Sequence, residues 1–193
     1  MHLQKDSHNL RDMKRRTLDS IVSYVGLLAT VVLLAVSGLA FWGYSFANTA
    51  VHDQLIAQNI YFPEEGEGFT AEEYPDVIKW AGQQVVSGDM AQGYADKYIK
   101  SHLDGMSGGK TYSEVSAEWI AGGRTDDALA QLRMTMFMGE TLRGLLLNAY
   151  AFWQIGQIAL IAAGAGLIAS VFMGILTLLG FRHSKRVAED AAI

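Results

Sequence analysis

The chain has 193 residues, half of them hydrophobic and only 18% charged, a balance that fits a small water-exposed portion joined to membrane-embedded helices. A formal net charge of −5 gives no bulk attraction for nucleic acid. The absence of cysteine excludes disulfides, cysteine-ligated zinc, iron–sulfur clusters and cysteine nucleophiles.

Residues 1–17 form a basic tail carrying Lys5, Arg11, Lys14, Arg15 and Arg16. Residues 18–46 then run apolar with Asp19 as their one charge. A bilayer core needs about 20 apolar residues in a helix, so this segment predicts a first transmembrane helix. It exceeds the apolar core of about 7–15 residues in a signal peptide. Ala47-Asn48-Thr49-Ala50 is also a poor cleavage site, so the segment reads as an uncleaved anchor.

Residues 47–144 carry seven Lys/Arg against fifteen Asp/Glu, a net −8. Apart from Val85-Val86, strand patterning is absent. Thr70-Ala71-Glu72-Glu73 and Thr111-Tyr112-Ser113-Glu114 each fit a capping box. Thr125 with Asp126 and Asp127 predicts a third helix start, and Leu103-Asp104-Gly105 predicts a helix end. Residues 145–181 contain no charge and predict the second span. No proline interrupts 125–181, so one helix of roughly 80 Å is expected to carry this span well beyond the bilayer. The first span is expected to extend past Phe46 toward Pro63. The tail 182–193 sets Arg182, Lys185 and Arg186 against Glu189 and Asp190.

Basic clusters thus flank both spans on one side. The expected topology is multi-pass in the plasma membrane, both termini cytoplasmic and 47–144 outside. The predicted fold is an all-α membrane protein: a two-transmembrane-helix hairpin with a small helical extracytoplasmic domain.

Chemistry is sparse. Gly109-Lys110-Thr111 fails as a phosphate loop, because the glycine needed five positions before Gly109 is Asp104. Met134, Met136 and Met138 offer soft thioethers suited to copper(I), but on a helix only Met134 and Met138 share a face. Outside the cytoplasm the histidines are His52 and His102, with Asp53 and Asp104 nearby; a metal-dependent activity on His52, His102 and Asp104 is the enzymatic alternative, and a stand-alone envelope protein is another. Glu64, Glu65, Glu67, Glu72 and Glu73 form an acidic patch, a solvated face or a docking surface for a basic partner. Ala162, Gly166, Ser170 and Gly174 recur every four residues, a small-residue face that lets another helix approach, either the first span or a partner's helix. Neither span carries an ionisable group deep in the bilayer, against an ion pathway.

Residues 95–103 (ADKYIKSHL) followed by Gly108-Gly109-Lys110-Thr111-Tyr112 resemble the middle of a group of two-span actinobacterial membrane proteins, many labelled "aromatic ring-opening dioxygenase". The layout matches over roughly residues 18–183. That label implies a metal-ligand set, for which His52, His102 and the acids are the candidates. Size and layout are also similar to accessory subunits of the actinobacterial respiratory cytochrome bcc–aa3 supercomplex. That second resemblance implies a cofactor-free, non-enzymatic subunit whose partners are integral membrane cytochrome subunits and lipid. Its implied role is assembly, stability or docking of an extracytoplasmic redox partner. No catalytic, cofactor-binding or metal residue is assigned on this reading.

Overall fold

A computed structural model describes residues 15–66 and 68–186. The helices are α1 (Arg15–Gln58), α2 (Gly88–Gly93), α3 (Lys100–Ser107), α4 (Tyr112–Ala121) and α5 (Asp127–Ser184). A single 3-10 turn lies at Ile78–Trp80, and a π-helical turn, Tyr94–Ile99, joins α2 to α3. The described residues contain no strand, only the isolated bridges Tyr61–Gln84 and Gly66–Phe69. Both α1 and α5 are long and apolar enough to cross a membrane. The chain divides into two compact units, residues 1–43 with 159–193, and residues 44–158. These divisions fall near the expected end of the first span, but well inside the segment expected to form the second. The charged residues of the tails at 1–14 and 187–193 lie outside the described residues.

In the first unit the inner halves of α1 and α5 run antiparallel. Gly26 lies against Thr177, Thr30 against Gly174, and Ser37 against Gly166. Ser23 and Ser37 on α1, seven residues apart twice over, are buried, with Gly26, Thr30, Leu33 and Ala40 partly buried between and beside them. Ala163, Ser170, Thr177 and Ser184 on α5 are buried at the same interval. This alternating three-and-four spacing is the seam of a left-handed helix pair. Thr177 Oγ1 is buried without a partner, but the other hydroxyls of the seam do not demand water. Ser23, Thr30 and Ser37 donate to the carbonyls of Asp19, Gly26 and Leu33 at 2.7–2.8 Å, and Ser170 donates to Leu167 O at 2.7 Å. Each is satisfied inside its own helix, as an apolar surrounding requires. At one end of the pair His183 Nε2 sits 3.8 Å from Asp19 Oδ2.

In the second unit the remaining halves of α1 and α5 support a cap formed by residues 59–126. Asn59, in the left-handed region at φ 54°, ends α1. The loop that follows is strapped to its return by Phe62 N–H to Gln83 O (2.9 Å), Gly82 N–H to Pro63 O (3.0 Å) and Val85 N–H to Ile60 O (2.8 Å). Its buried aromatics, Phe62, Phe69 and Tyr74, join Val51 and Leu55 of α1 and Met136 and Leu146 of α5 in one core.

The helix starts come out unevenly. Thr111 forms the full capping box with Glu114, its hydroxyl accepting from Glu114 N–H and its own N–H donating to the Glu114 carboxylate at 2.7 Å. The Thr70 hydroxyl also accepts from Glu73 N–H (3.3 Å), but no α-helix follows. Pro75, five residues on, lacks an N–H and its ring opposes the carbonyl one turn back, so the segment resolves into turns. The helix expected to end at Leu103-Asp104-Gly105 continues to Ser107. Gly108 at φ 65° and Gly109 at φ 80° stop it, and Gly109 N–H donates to Asp104 O. Asp126, not Thr125, caps α5, its carboxylate accepting from Leu129 N–H at 3.0 Å while the Thr125 hydroxyl turns back to Gly122 O.

Bonds from the Thr111 backbone and hydroxyl hold the Glu114 carboxyl below its ordinary range. A lowered folded value means that the stabilisation is present above the ordinary glutamate pKa of about 4.3 and is lost as pH falls through the folded value. Amide exchange in α4 is therefore expected to lose a protection step on acidification, and E114A to start with weaker protection at 112–115 and show no such step.

Candidate interaction site

The cap is fastened to α5 by two arginines. Arg133 donates from Nε to Ser116 Oγ (2.9 Å) and from Nη2 to the Tyr112 hydroxyl (3.1 Å). Its guanidinium also lies 4.9 Å from the centre of the Trp119 ring, pinning α4. Arg143, about one turn after Gly139 on α5, reaches the π turn. Its Nε donates to Ala95 O (3.0 Å), its Nη2 to Asp96 Oδ1 (3.1 Å) and its Nη1 to Glu140 Oε2 (2.8 Å). The Arg143 side chain is only 16% exposed. Ala95 O also accepts the i+5 N–H of Lys100, the bond that makes the turn π rather than α. The inserted residue lets one carbonyl serve both the helix and the guanidinium.

The same turn presents Tyr94 and Tyr98 to the loop aromatics. Tyr94 meets Phe62 edge-on at 5.1 Å between ring centres, Tyr98 meets Phe69 at 5.7 Å, and Tyr98 lies 4.5 Å from the His102 ring. Burial, then the neighbouring phenol of Tyr98, raises the pKa of Tyr94; burial, then Tyr74, raises that of Tyr98. Both stay protonated in the folded state at a pH where free tyrosine ionises. Their contribution is whole below about pH 10 and falls as pH rises through the folded values. An ultraviolet phenolate titration is expected to show two tyrosines ionising late, together with loosening of the cap.

Outside this core lies an open groove of about 290 Å³ lined by Asp76, Trp80, Asp89, Asp96 and Lys97 among others. Lys97 pairs with Asp76 at 2.6 Å, which lowers the Asp76 carboxyl and raises the Lys97 ammonium, and Lys79 lies over the Trp80 ring. Asp76, Asp96 and Lys97 are thus paired within the chain, and Asp89 accepts from the Ser87 hydroxyl.

The structure scatters the residues of the enzymatic alternative. The His102 ring nitrogen Nδ1 contacts Tyr98 O at 3.0 Å, Asp104 pairs with Lys100, and His52 contacts its own neighbour Asp53. Among the described residues no three His, Asp or Glu side chains converge as a ligand set. Met136 is buried in the core, whereas Met134 and Met138 are exposed together. Glu64, Glu65, Glu72 and Glu73 are all exposed, with the Glu64 carboxylate folded over Gly82; Glu67 lies outside the described residues. Of the small-residue stripe, Gly166, Ser170 and Gly174 face α1, and Ala162 is exposed. The residues that sequence reasoning missed are Arg143 and the π turn. One signal was present: between Arg133 and Arg182, Arg143 is the sole cation of α5.

In comparison with known proteins, no family model, no curated protein and no solved structure matches this chain.

Proposed function

We propose that the chain is a non-catalytic, membrane-anchored subunit that displays a rigid helical cap outside the bilayer and serves the assembly or stability of a larger membrane complex. One observation carries the membrane part. The most apolar stretches of α1 and α5 are only 6% and 11% buried. A core helix of a soluble protein is mostly buried, so these surfaces need an apolar surrounding that the chain itself does not supply. Small residues close the helix pair, and the hydroxyls of Ser23, Thr30, Ser37 and Ser170 are satisfied within their own helices, Thr177 being the buried exception. In sequence, basic clusters flank the two spans while residues 47–144 between them carry a net −8, which supports both termini in the cytoplasm. The non-catalytic part is supported by the engagement of Lys97, Lys100, Lys110, Arg133 and Arg143 in pairs and bonds within the fold. The resemblance in layout makes the respiratory cytochrome supercomplex the first host to test.

Native membranes carrying a tagged full-length chain are washed with alkaline carbonate, dissolved in mild detergent and purified on the tag. The chain is expected in the carbonate-resistant pellet, and then to co-migrate with integral membrane subunits. Release by carbonate sinks the membrane reading. A free chain that never co-migrates with other membrane proteins sinks the scaffold reading.

A further inference from the structure

Residues 47–144 hold seven Lys/Arg among fifteen Asp/Glu, so a cation there has acids to choose from. Lys97, Lys100, Lys110 and Arg143 each take one. Lys79 lies by itself over Trp80. The other two, Arg124 and Arg133, have no carboxylate among the described residues, and both lie at the corner where α4 turns into α5. They also share one ring: the guanidinium carbon of Arg133 is 4.9 Å from the centre of the Trp119 indole and that of Arg124 is 5.9 Å from it. Two like charges at one indole repel unless an anion joins them. The carboxylates nearest in sequence are engaged elsewhere. Glu114 accepts from Thr111, Glu118 pairs with Lys110, and Asp126 caps α5.

Acceptors are as scarce at this corner as acids. Arg133 donates to the Ser116 and Tyr112 hydroxyls, and each hydroxyl keeps a hydrogen of its own for which the described residues offer no acceptor. Trp119 Nε1 is buried with no acceptor. The Arg124 side chain makes no hydrogen bond among the described residues. A cluster of donors alone calls for an acceptor from outside the chain, and a negative one meets two guanidinium groups best. The backbone holds Arg124 there against steric preference. It is left-handed at φ 62°, which a residue with a Cβ seldom adopts, and its N–H donates to Trp119 O at 3.0 Å. Strain of this kind collects where a side chain is presented for use.

Beside Arg133 opens a pocket of about 190 Å³ lined by Tyr112, Arg133, Met134 and Phe137. One wall is cationic. The other is apolar: Met134 and Phe137 are each 53% exposed, and the Phe137 ring meets that of Tyr112 at 5.8 Å.

We infer that this corner of the cap binds a carboxylate carried on an apolar body, with its oxygens on the Arg133 guanidinium, its body against Met134 and Phe137, and Arg124 supplying a second positive charge. A carboxylate matches the planar fork of a guanidinium. A phosphate or sulfate dianion fits less well, because its tighter hydration would have to be stripped beside two apolar side chains. Two sources present the required group: a free small apolar acid, and a partner polypeptide whose terminal carboxylate follows an aliphatic side chain. The inference rests on the α4–α5 corner alone, so it stands or falls apart from the membrane and scaffold readings.

The purified full-length chain in mild detergent is titrated with isovalerate and with a short peptide ending in leucine. Isovaleramide, the same peptide amidated at its end, and sulfate serve as controls. Hydrogen exchange of residues 112–133 is the readout. Protection is expected to rise to saturation with isovalerate or with the free-ended peptide, and to stay flat with both amides and with sulfate. Saturation by isovalerate assigns the site to small acids; saturation by the peptide alone assigns it to a partner's chain end. R124Q changes an exposed side chain that makes no hydrogen bond, and is expected to weaken binding about tenfold, with R124K keeping most of it. R133Q is expected to abolish binding, and its protection without ligand is measured alongside because Arg133 also pins α4. No saturable change with either acid, equal changes with the amides, a stronger response to sulfate, or unchanged affinity in R124Q overturns the inference.

Discussion

Replacing Arg143 by alanine is expected to loosen the cap from α5 by about 2–4 kcal/mol. The guanidinium is largely buried and its three bonds go to different places: the Ala95 carbonyl, the Asp96 carboxylate and the Glu140 carboxylate. Alanine leaves Ala95 O with its Lys100 N–H, so that carbonyl is not orphaned. Asp96 loses its cation, and because its side chain is 35% exposed, water takes up part of the loss. The range therefore lies below that for breaking a fully buried pair. Lysine at 143 keeps the charge but not the planar fork, and falls between the two. Hydrogen exchange of residues 94–107 in the purified full chain measures the effect. The double variant R143A/D96N is expected to recover part of the protection, because it removes the carboxylate left alone. If R143A exchanges like the native chain, the guanidinium is not what holds the π turn to α5.

The features legible in the sequence are those with short-range causes. The capping box at Thr111 depends on four consecutive residues, and the unbroken α5 on the lack of proline after Thr125; both are found. Thr70 shows the limit of the same signal, since its box is intact in sequence but Pro75 acts one turn later. The small-residue stripe shows another. Reading it at every fourth residue selects Ala162, Gly166, Ser170 and Gly174. Two packed helices wind around each other, so their contact follows an average of 3.5, and the buried positions are Ala163, Ser170 and Thr177 with Gly166 between. Ala162 drifts to the outer face for that reason alone. The π turn has no local signature in Tyr94–Ile99, and the guanidinium that meets its Ala95 carbonyl, Arg143, is 48 residues away in the chain. A cation isolated between Arg133 and Arg182 reveals that something must pair with it, without naming the carbonyl it meets.

The second large effect is expected at Gly88, where α2 begins. The glycine is buried, and a Cβ built on it falls inside the envelope of Cβ and Cγ of Trp153 on α5. These atoms sit at the root of the indole side chain, so no rotation of the ring clears them; either the α2 backbone or α5 must move. Overpacking of this kind costs about 1–3 kcal/mol for one methyl group. Gly139 offers the comparison. A Cβ there meets the two methyl carbons at the far end of Leu103, at 2.6 and 2.9 Å, and a leucine tip can turn aside. G139A is therefore expected to be milder than G88A, although both add the same methyl group to the same junction. Protease resistance of the cap in the full-length chain, followed as a function of denaturant, ranks the two. A ranking with G139A worse would mean that the cap meets α5 more closely at Leu103 than at Trp153. Combining G88A with W153A removes the obstruction and opens space instead, so the pair is expected to be more stable than the sum of the two single losses predicts.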